Sequence, residues 1–263
     1  MMDPREIRRL GDELYQALRT FSTLTPLTER ESEITIEDAY HISLRMLERR
    51  QQADGEKVVG KKIGVTSKPV QEMLGVFQPD FGFLTDAMAF PDGADIPIEG
   101  NLIAPRAEGE IAFRLKHDLV GPGVTEADVL AATQTIIPCF EIVDSRIEDW
   151  KIKIQDTVAD NASAGAFLLG DNAVSPHKVD LKTCGMILEK NGQIVGTGAG
   201  AATLGHPLNA VAWLANTLGA LGIPLKAGEV ILSGSLANMV PAQPGDTMRV
   251  TIGGIGGATV NFT

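Results

Sequence analysis

Acidic side chains at strand spacing are the chemically suggestive feature of this 263-residue chain. In Arg106-Ala107-Glu108-Gly109-Glu110-Ile111-Ala112-Phe113, two glutamates stand two residues apart. An extended backbone sends alternate side chains to opposite faces. Glu108 and Glu110 would then share one face, with Cα atoms ~6.5–7 Å apart, and Ala107, Gly109, Ile111 and Phe113 would take the other. The ordinary outcome of such a pattern is a solvated strand face. The stretch Ile136-Ile137-Pro138-Cys139-Phe140-Glu141-Ile142-Val143-Asp144 changes the reading, because Glu141 lies inside an apolar run. Burying a carboxylate unpaired costs several kcal/mol or forces its protonation. Glu141 therefore needs a cation, either a Lys or Arg partner or a metal ion. Bringing it beside Glu108 and Glu110 would add about 4 kcal/mol of repulsion per pair at ~4 Å and an effective dielectric of ~20. A bound divalent ion reverses that sign. Three hard oxygen ligands without His or Cys suit Mg2+ or Mn2+, with positions left open for substrate oxygens.

Lys62 and Asp80 are the other candidates. Lys62 falls within Val58-Val59-Gly60-Lys61-Lys62-Ile63-Gly64-Val65. If Lys61 faces water, Lys62 faces inward, where a lysine serves as an acid–base group, an anion holder or one end of a salt bridge. Asp80 lies in Gln78-Pro79-Asp80-Phe81-Gly82, a turn-like context in which an Asp commonly does no more than turn chemistry.

The elements that must position these residues fall into two textures. Residues 1–56 read as a helical segment. Ile7, Leu10, Leu14, Leu18 and Phe21 recur at three- and four-residue steps, and Thr35-Ile36-Glu37-Asp38 is box-like before Ala39, Ile42, Met46 and Leu47, ending in Glu48-Arg49-Arg50. Residues 57–263 read as a β-rich catalytic core. Strands are expected at 58–65, 110–115, 136–143, 185–189, 193–196, 230–233, 248–252 and 258–262. Asn191-Gly192 signals a type I′ hairpin, and Gly253–Gly257 a second turn. Helices follow Thr125 and Pro207. The fold class is α+β, not alternating βαβ.

Composition sets the outer bounds. Apolar residues make up 44% and charged residues 22%, which is globular usage and excludes disorder or coiled coil as the main architecture. A net charge of −11 disfavours nucleic acid and anionic membranes as partners. The stretch 191–225 lacks Asp, Glu, Lys and Arg, but Gly, Asn and Pro interrupt it, so it reads as a buried helix and not as a membrane span. The opening Met1–Glu6 leads into a charged amphipathic stretch, which makes a cytoplasmic location the expectation. Cys139 and Cys184 form no CxxC pair and read as buried thiols. GxGxxG, phosphate-loop and GxSxG motifs are absent, and the four histidines are scattered.

Five segments together resemble the hydratase/decarboxylase branch of the fumarylacetoacetate hydrolase superfamily: GKKIGVTS (60–67), QPDFGFLTD (78–86), RAEGEIAF (106–113), CFEIVDSRIEDW (139–150) and DNAS (160–163). The likeness runs nearly end to end, including LGDELYQAL near the start and LSGSL (232–236). The resemblance implies a mixed β-roll with peripheral helices. It also implies metal ligation by Glu108, Glu110 and Glu141, with Mg2+ or Mn2+ as cofactor. Lys62 and Asp80 become catalytic residues, and Ser163 and Ser235 substrate-binding ones. The implied activity is hydration of 2-hydroxypenta-2,4-dienoate to 4-hydroxy-2-oxopentanoate in meta-cleavage catabolism of aromatic compounds. Decarboxylases of the branch tend to carry an apolar residue at the position of Asp80, whereas hydratases carry an acid. The resemblance further implies a homo-oligomer in complex with 4-oxalocrotonate decarboxylase. The competing readings are decarboxylation of a 2-oxo-3-enedioate at the same metal, a non-catalytic subunit of that decarboxylase, and hydrolysis of acylpyruvates.

Overall fold

The computed structural model describes residues 2–263, without the side chains of 69, 73 and 74. Its centre is a mixed eight-stranded sheet formed by β1 (Val58–Gly64), β2 (Asp80–Thr85), β3 (Ala89–Phe90), β5 (Arg106–Leu115), β6 (Thr133–Val143), β7 (Ala164–Leu169), β10 (Val230–Leu232) and β11 (Val240–Pro241). The order is β2-β1-β10-β5-β6-β7-β3, with β11 pairing the start of β5. A second sheet orders β4 (Asp95–Ile96), β13 (Gly256–Phe262), β12 (Thr247–Ile252), β8 (Gly185–Lys190) and β9 (Gln193–Ala199) as β4-β13-β12-β8-β9. The whole is the expected mixed β-roll with peripheral helices.

Register assigns the faces. The pairs Lys62↔Leu232, Leu232↔Ala112, Glu110↔Cys139, Glu108↔Glu141 and Gly64↔Asp80 put Lys62, Asp80, Glu108, Glu110 and Glu141 on one face of the large sheet. The opposite face carries Phe81, Ile111, Phe113, Phe140, Ile142 and Ile231 into the main core, where they meet Met186, Val250 and Val260 of the second sheet. Lys61 belongs to that opposite face and does not reach water. It is buried and paired with Glu229 at 2.6 Å, so both lysines of β1 are buried.

The helices cover the roll. Helix α1 (Pro4–Thr20) buries Leu10 and Leu14, but its periodicity stops before Phe21, an exposed left-handed cap. After the short α2 (Leu27–Arg30), α3 (Ile36–Asp54) opens with the expected Thr35–Asp38 capping box and runs four residues beyond Arg50. Helix α1 packs on α3, and α2 and α3 pack on α6 (Ile154–Ala159), in one cluster with Leu14, Ile42, Met46 and Val158. Between α3 and α6 in the chain lie α4 (Lys68–Leu74) and α5 (Glu126–Ala132), the latter capped by Thr125. Helix α7 (Pro207–Ala220) seats Leu208, Val211, Leu214 and Leu218 in the main core. Fourteen residues long, it takes up the later part of the 191–225 stretch, whose start is β9, and among the described residues no helix is long and apolar enough to cross a membrane. Asn191 and Gly192 are both left-handed, as a type I′ hairpin requires.

Candidate active site

Strands β5 and β6 pair over ten positions, which fixes Glu108 directly across from Glu141. Glu110 follows two residues along the same face. One carboxylate oxygen from each of the three lies within 4.8 Å of the others. Glu110 and Glu141 are fully buried and Glu108 is partly exposed. Lys62 enters from β1, with Nζ 3.0 Å from Glu141 Oε1. Glu141 therefore has its cation from within the chain. That ion pair lacks hydrogen-bond geometry, however, and both Glu141 oxygens and Glu110 Oε1 have no hydrogen-bond partner among the described residues. Glu110 Oε2 accepts from the Gly234 amide at 2.8 Å.

Burial dominates the titration of this cluster. It pushes Glu108 up to about 7, with the charge of Glu141 adding to the effect. Burial also raises Glu110 well above the usual carboxylate range, helped by Glu141 and Glu108, and raises Glu141 despite Lys62. For Lys62, burial alone would favour the neutral amine. Glu141, Asp80 and Glu108 outweigh it and hold the ammonium above its usual value.

Asp80 is not in a turn. It is the first residue of β2, buried, with Oδ1 unpartnered and its carboxyl raised by burial. It faces Gly64 across the ladder, where a Cβ would run into Asp80 Oδ1 and crowd Lys62 Nζ. Glycine at 64 is what lets the carboxyl and the ammonium sit side by side.

A cavity of about 950 Å3 lies over this face. Lys62, Asp80, Glu108, Ser163 and Ser235 all line it, while the fully buried Glu110 and Glu141 do not. The Ser163 hydroxyl is within 3.2 Å of Thr157 Oγ1, and that of Ser235 donates to the Ala237 carbonyl at 2.6 Å. Apolar side chains, among them Val143, Ile152, Leu204 and Leu236, make much of the remaining wall. Three converging hard oxygens, two of the carboxylates fully buried and the third opening on the cavity, fit a divalent cation.

Residues 49–263 match the sequence model described as fumarylacetoacetate (FAA) hydrolase C-terminal. This chain belongs to the fumarylacetoacetate hydrolase family. Within reach of the family, it is 62% identical over 264 residues to a 2-hydroxyhexa-2,4-dienoate hydratase of Comamonas testosteroni, each chain being covered in full. It is 71% identical over 222 residues to a 2-hydroxypent-2,4-dienoate hydratase of Pseudomonas putida, covering 84% of this chain and 100% of the relative. Among solved structures, it is similar to the 4-oxalocrotonate decarboxylase of Pseudomonas putida G7 complexed with magnesium and adipate. The TM-score is 0.96 and the identity 38%, covering 100% of this chain and 99% of that one.

The walls of the site also rest on residues to which sequence patterns assign no role. Arg146 is fully buried and holds Asp160 through Nε at 2.6 Å and through its backbone amide at 2.9 Å. It also donates to the carbonyls of Ala164 and Asp160. This pair anchors the turn in which Asn161, Ala162 and Ser163 are all left-handed, an expensive run for non-glycine residues. Trp150, in the cavity wall, donates Nε1 to the Ala104 carbonyl and stacks under the Arg106 guanidinium at 4.3 Å. Only the DNAS motif itself pointed to this turn.

Proposed function

We propose that this chain is a hydro-lyase that converts 2-hydroxypenta-2,4-dienoate (2-oxopent-4-enoate) to 4-hydroxy-2-oxopentanoate in meta-cleavage degradation of aromatic compounds. The observation that carries the reading is the meeting of three carboxylates with Lys62 and Asp80 on one cavity-facing sheet surface. The names of the full-length relatives agree with it.

Glu108, Glu110 and Glu141 would hold the divalent ion, Mg2+ or Mn2+. When bound, such an ion supplies a positive centre for the anion that develops on the substrate's C2 oxygen. The chain's own residues do the rest. Lys62, kept protonated by the acids around it, is a donor toward the substrate oxygens. Asp80, with a free Oδ1 and a carboxyl raised by burial, can take up a proton and release it. Between them they move the protons that leave the C2 hydroxyl and the attacking water and arrive at C5 and C3, while the water oxygen adds at C4. Ser163 and Ser235 orient the acid head, and the apolar wall receives the hydrocarbon end.

Asp80 favours hydration over decarboxylation of a 2-oxo-3-enedioate, because decarboxylases of the branch tend to carry an apolar residue at this position and hydratases an acid. The residue is buried in the cavity wall beside Lys62. The reading also takes residues 57–263 as the catalytic core and 1–56 as its helical segment. It places the chain in the cytoplasm as a homo-oligomer associated with the 4-oxalocrotonate decarboxylase of the same pathway.

The test is a spectrophotometric assay of freshly generated 2-hydroxypenta-2,4-dienoate with and without EDTA. Consumption should stop on chelation and return with Mg2+ or Mn2+. No consumption at saturating divalent ion, or faster CO2 release from 2-oxo-3-enedioate, would overturn the reading.

A further inference from the structure

Strand β2 begins with Asp80 and forms one edge of the large sheet, pairing with β1 on its inner side alone. An edge strand leaves outward-pointing N–H and C=O groups without a ladder partner. Phe83 is buried, so its outward peptide groups cannot turn to water. Both bind one side chain: the Phe83 amide donates to Asn161 Oδ1 at 2.8 Å, and Asn161 Nδ2 donates to the Phe83 carbonyl at 2.9 Å. A primary amide carries the same donor and acceptor as a peptide group. Asn161 thus reproduces the two-bond exchange of an antiparallel strand pair at the place where a neighbouring strand is missing. The contact is close. A Cβ at Gly82 would run into the Asn161 carbonyl oxygen, so glycine at 82 is a condition of it.

The same asparagine sits two residues before Ser163, in the left-handed turn that Arg146 and Asp160 lock from behind. One side chain therefore ties the strand that carries Asp80 to the turn that carries Ser163, and both residues line the cavity. Asn161 does not line it.

We infer that Asn161 is a positioning residue: its amide sets the strand of Asp80 against the turn of Ser163 and so fixes the carboxyl relative to the bound substrate. This rests on the reading that Asp80 moves protons in hydration. A residue serving only the fold would lower stability and leave kcat per folded site unchanged. A positioning residue lowers kcat, and does so through Asp80.

The experiment compares the full-length protein with Asn161→Ala, Asn161→Asp, Asp80→Asn and the Asn161→Ala/Asp80→Asn pair. Hydration of 2-hydroxypenta-2,4-dienoate is measured at saturating Mg2+, with active sites counted by calorimetric Mg2+ stoichiometry. Asn161→Ala should lower kcat on the order of 10- to 100-fold with little change in KM. Asn161→Asp, isosteric but lacking the donor to Phe83, should do the same. The double variant should be no slower than Asp80→Asn alone, because the two losses share one route. Where Asn161→Ala does not fold, Asn161→Asp and Gly82→Ala disturb the same contact from either side. Normal kcat in the Asn161 variants, losses that multiply in the pair, or failure of all three variants to fold would overturn the inference while the function stands. An inactive wild-type protein would instead overturn the functional reading, and the inference with it.

Discussion

Glu108 and Glu141 stand directly opposite each other in the β5–β6 ladder, with Lys62 Nζ 3.0 Å from Glu141 Oε1. Like charges at facing positions destabilise a strand pair, and Glu110 adds a third acid to the same face. Two features make the arrangement tolerable without a metal. Lys62 neutralises one carboxylate at 3.0 Å, and burial favours the protonated form of the others, raising Glu108 to about 7 and Glu110 well above the usual carboxylate range. Lys62 thus helps hold this acidic face together.

Replacing that group should be costly. Lys62→Met leaves Glu141 buried without a cation, and breaking a buried pair from one side costs about 3–5 kcal/mol. Urea unfolding in EDTA should show a loss of that size, with part of it recovered on adding Mg2+. A loss below ~1 kcal/mol would mean that Glu141 is held neutral and the pair carries little charge.

The opposite sign is expected at Glu110. Glutamine keeps an acceptor for the Gly234 amide and cannot ionise, so it relieves the repulsion that Glu110 adds whenever it is charged. In EDTA under mildly alkaline conditions, Glu110→Gln should raise the melting temperature by about 2–4 °C, equivalent to ~1 kcal/mol in a chain of this size. The further rise that Mg2+ produces in the wild-type protein should disappear. Calorimetric scans with and without the ion read both effects, and a preserved Mg2+ response would break the ligand assignment.

How much of this could be read from the chain depended on whether the cause was local. The capping box at Thr35, the helix start after Thr125 and the Asn191-Gly192 hairpin are side-chain and backbone effects within four residues, and they are found where expected. Glu108, Glu110 and Glu141 were legible because strand alternation and an apolar run are also local patterns. Strand β2 was not. Pro79, Asp80 and Gly82 look like turn residues, but Gly82 is demanded by Asn161 from a distant turn. Strand β7 was missed because Ala164–Leu169 is largely buried on both faces and shows no alternation. The inward position of Lys61 and the Arg146–Asp160 lock likewise depend on partners that only the tertiary fold supplies.

The carboxyl cluster also sets a pH dependence. Burial raises Glu108, Glu110, Glu141 and Asp80 in the folded protein above their unfolded values. Between the unfolded and folded values the folded state binds more protons. The stability from these groups is thus full below about pH 4.5 and is lost as pH rises through the folded values, near 7 for Glu108. Ion-paired acids such as Glu13 and Asp246 are lowered and act in the opposite direction. The clean comparison is therefore with Glu110→Gln, whose metal-free stability should fall less steeply between about pH 5 and pH 7. Because metal ligands must be deprotonated, Mg2+ binding near pH 6 should release protons, seen as a calorimetric heat that depends on the buffer's ionisation enthalpy. A buffer-independent heat would show that the carboxyls are already ionised.

Asp80 stands apart from the three converging acids, beside Lys62 across Gly64, and this separates its role from theirs. Asp80→Leu removes an acid–base group from a buried position without touching a glutamate of the cluster. Mg2+ affinity should stay within about threefold of wild type, since the effect on the ligands is indirect. Hydration should fall on the order of 100- to 10,000-fold, the usual contribution of a positioned proton-transfer group. Calorimetry and the dienoate assay on the same preparation give the two numbers together. Lost metal binding would show that the carboxyl of Asp80 helps build the cluster, and unchanged turnover would remove it from the proton path, leaving Lys62 to carry every transfer.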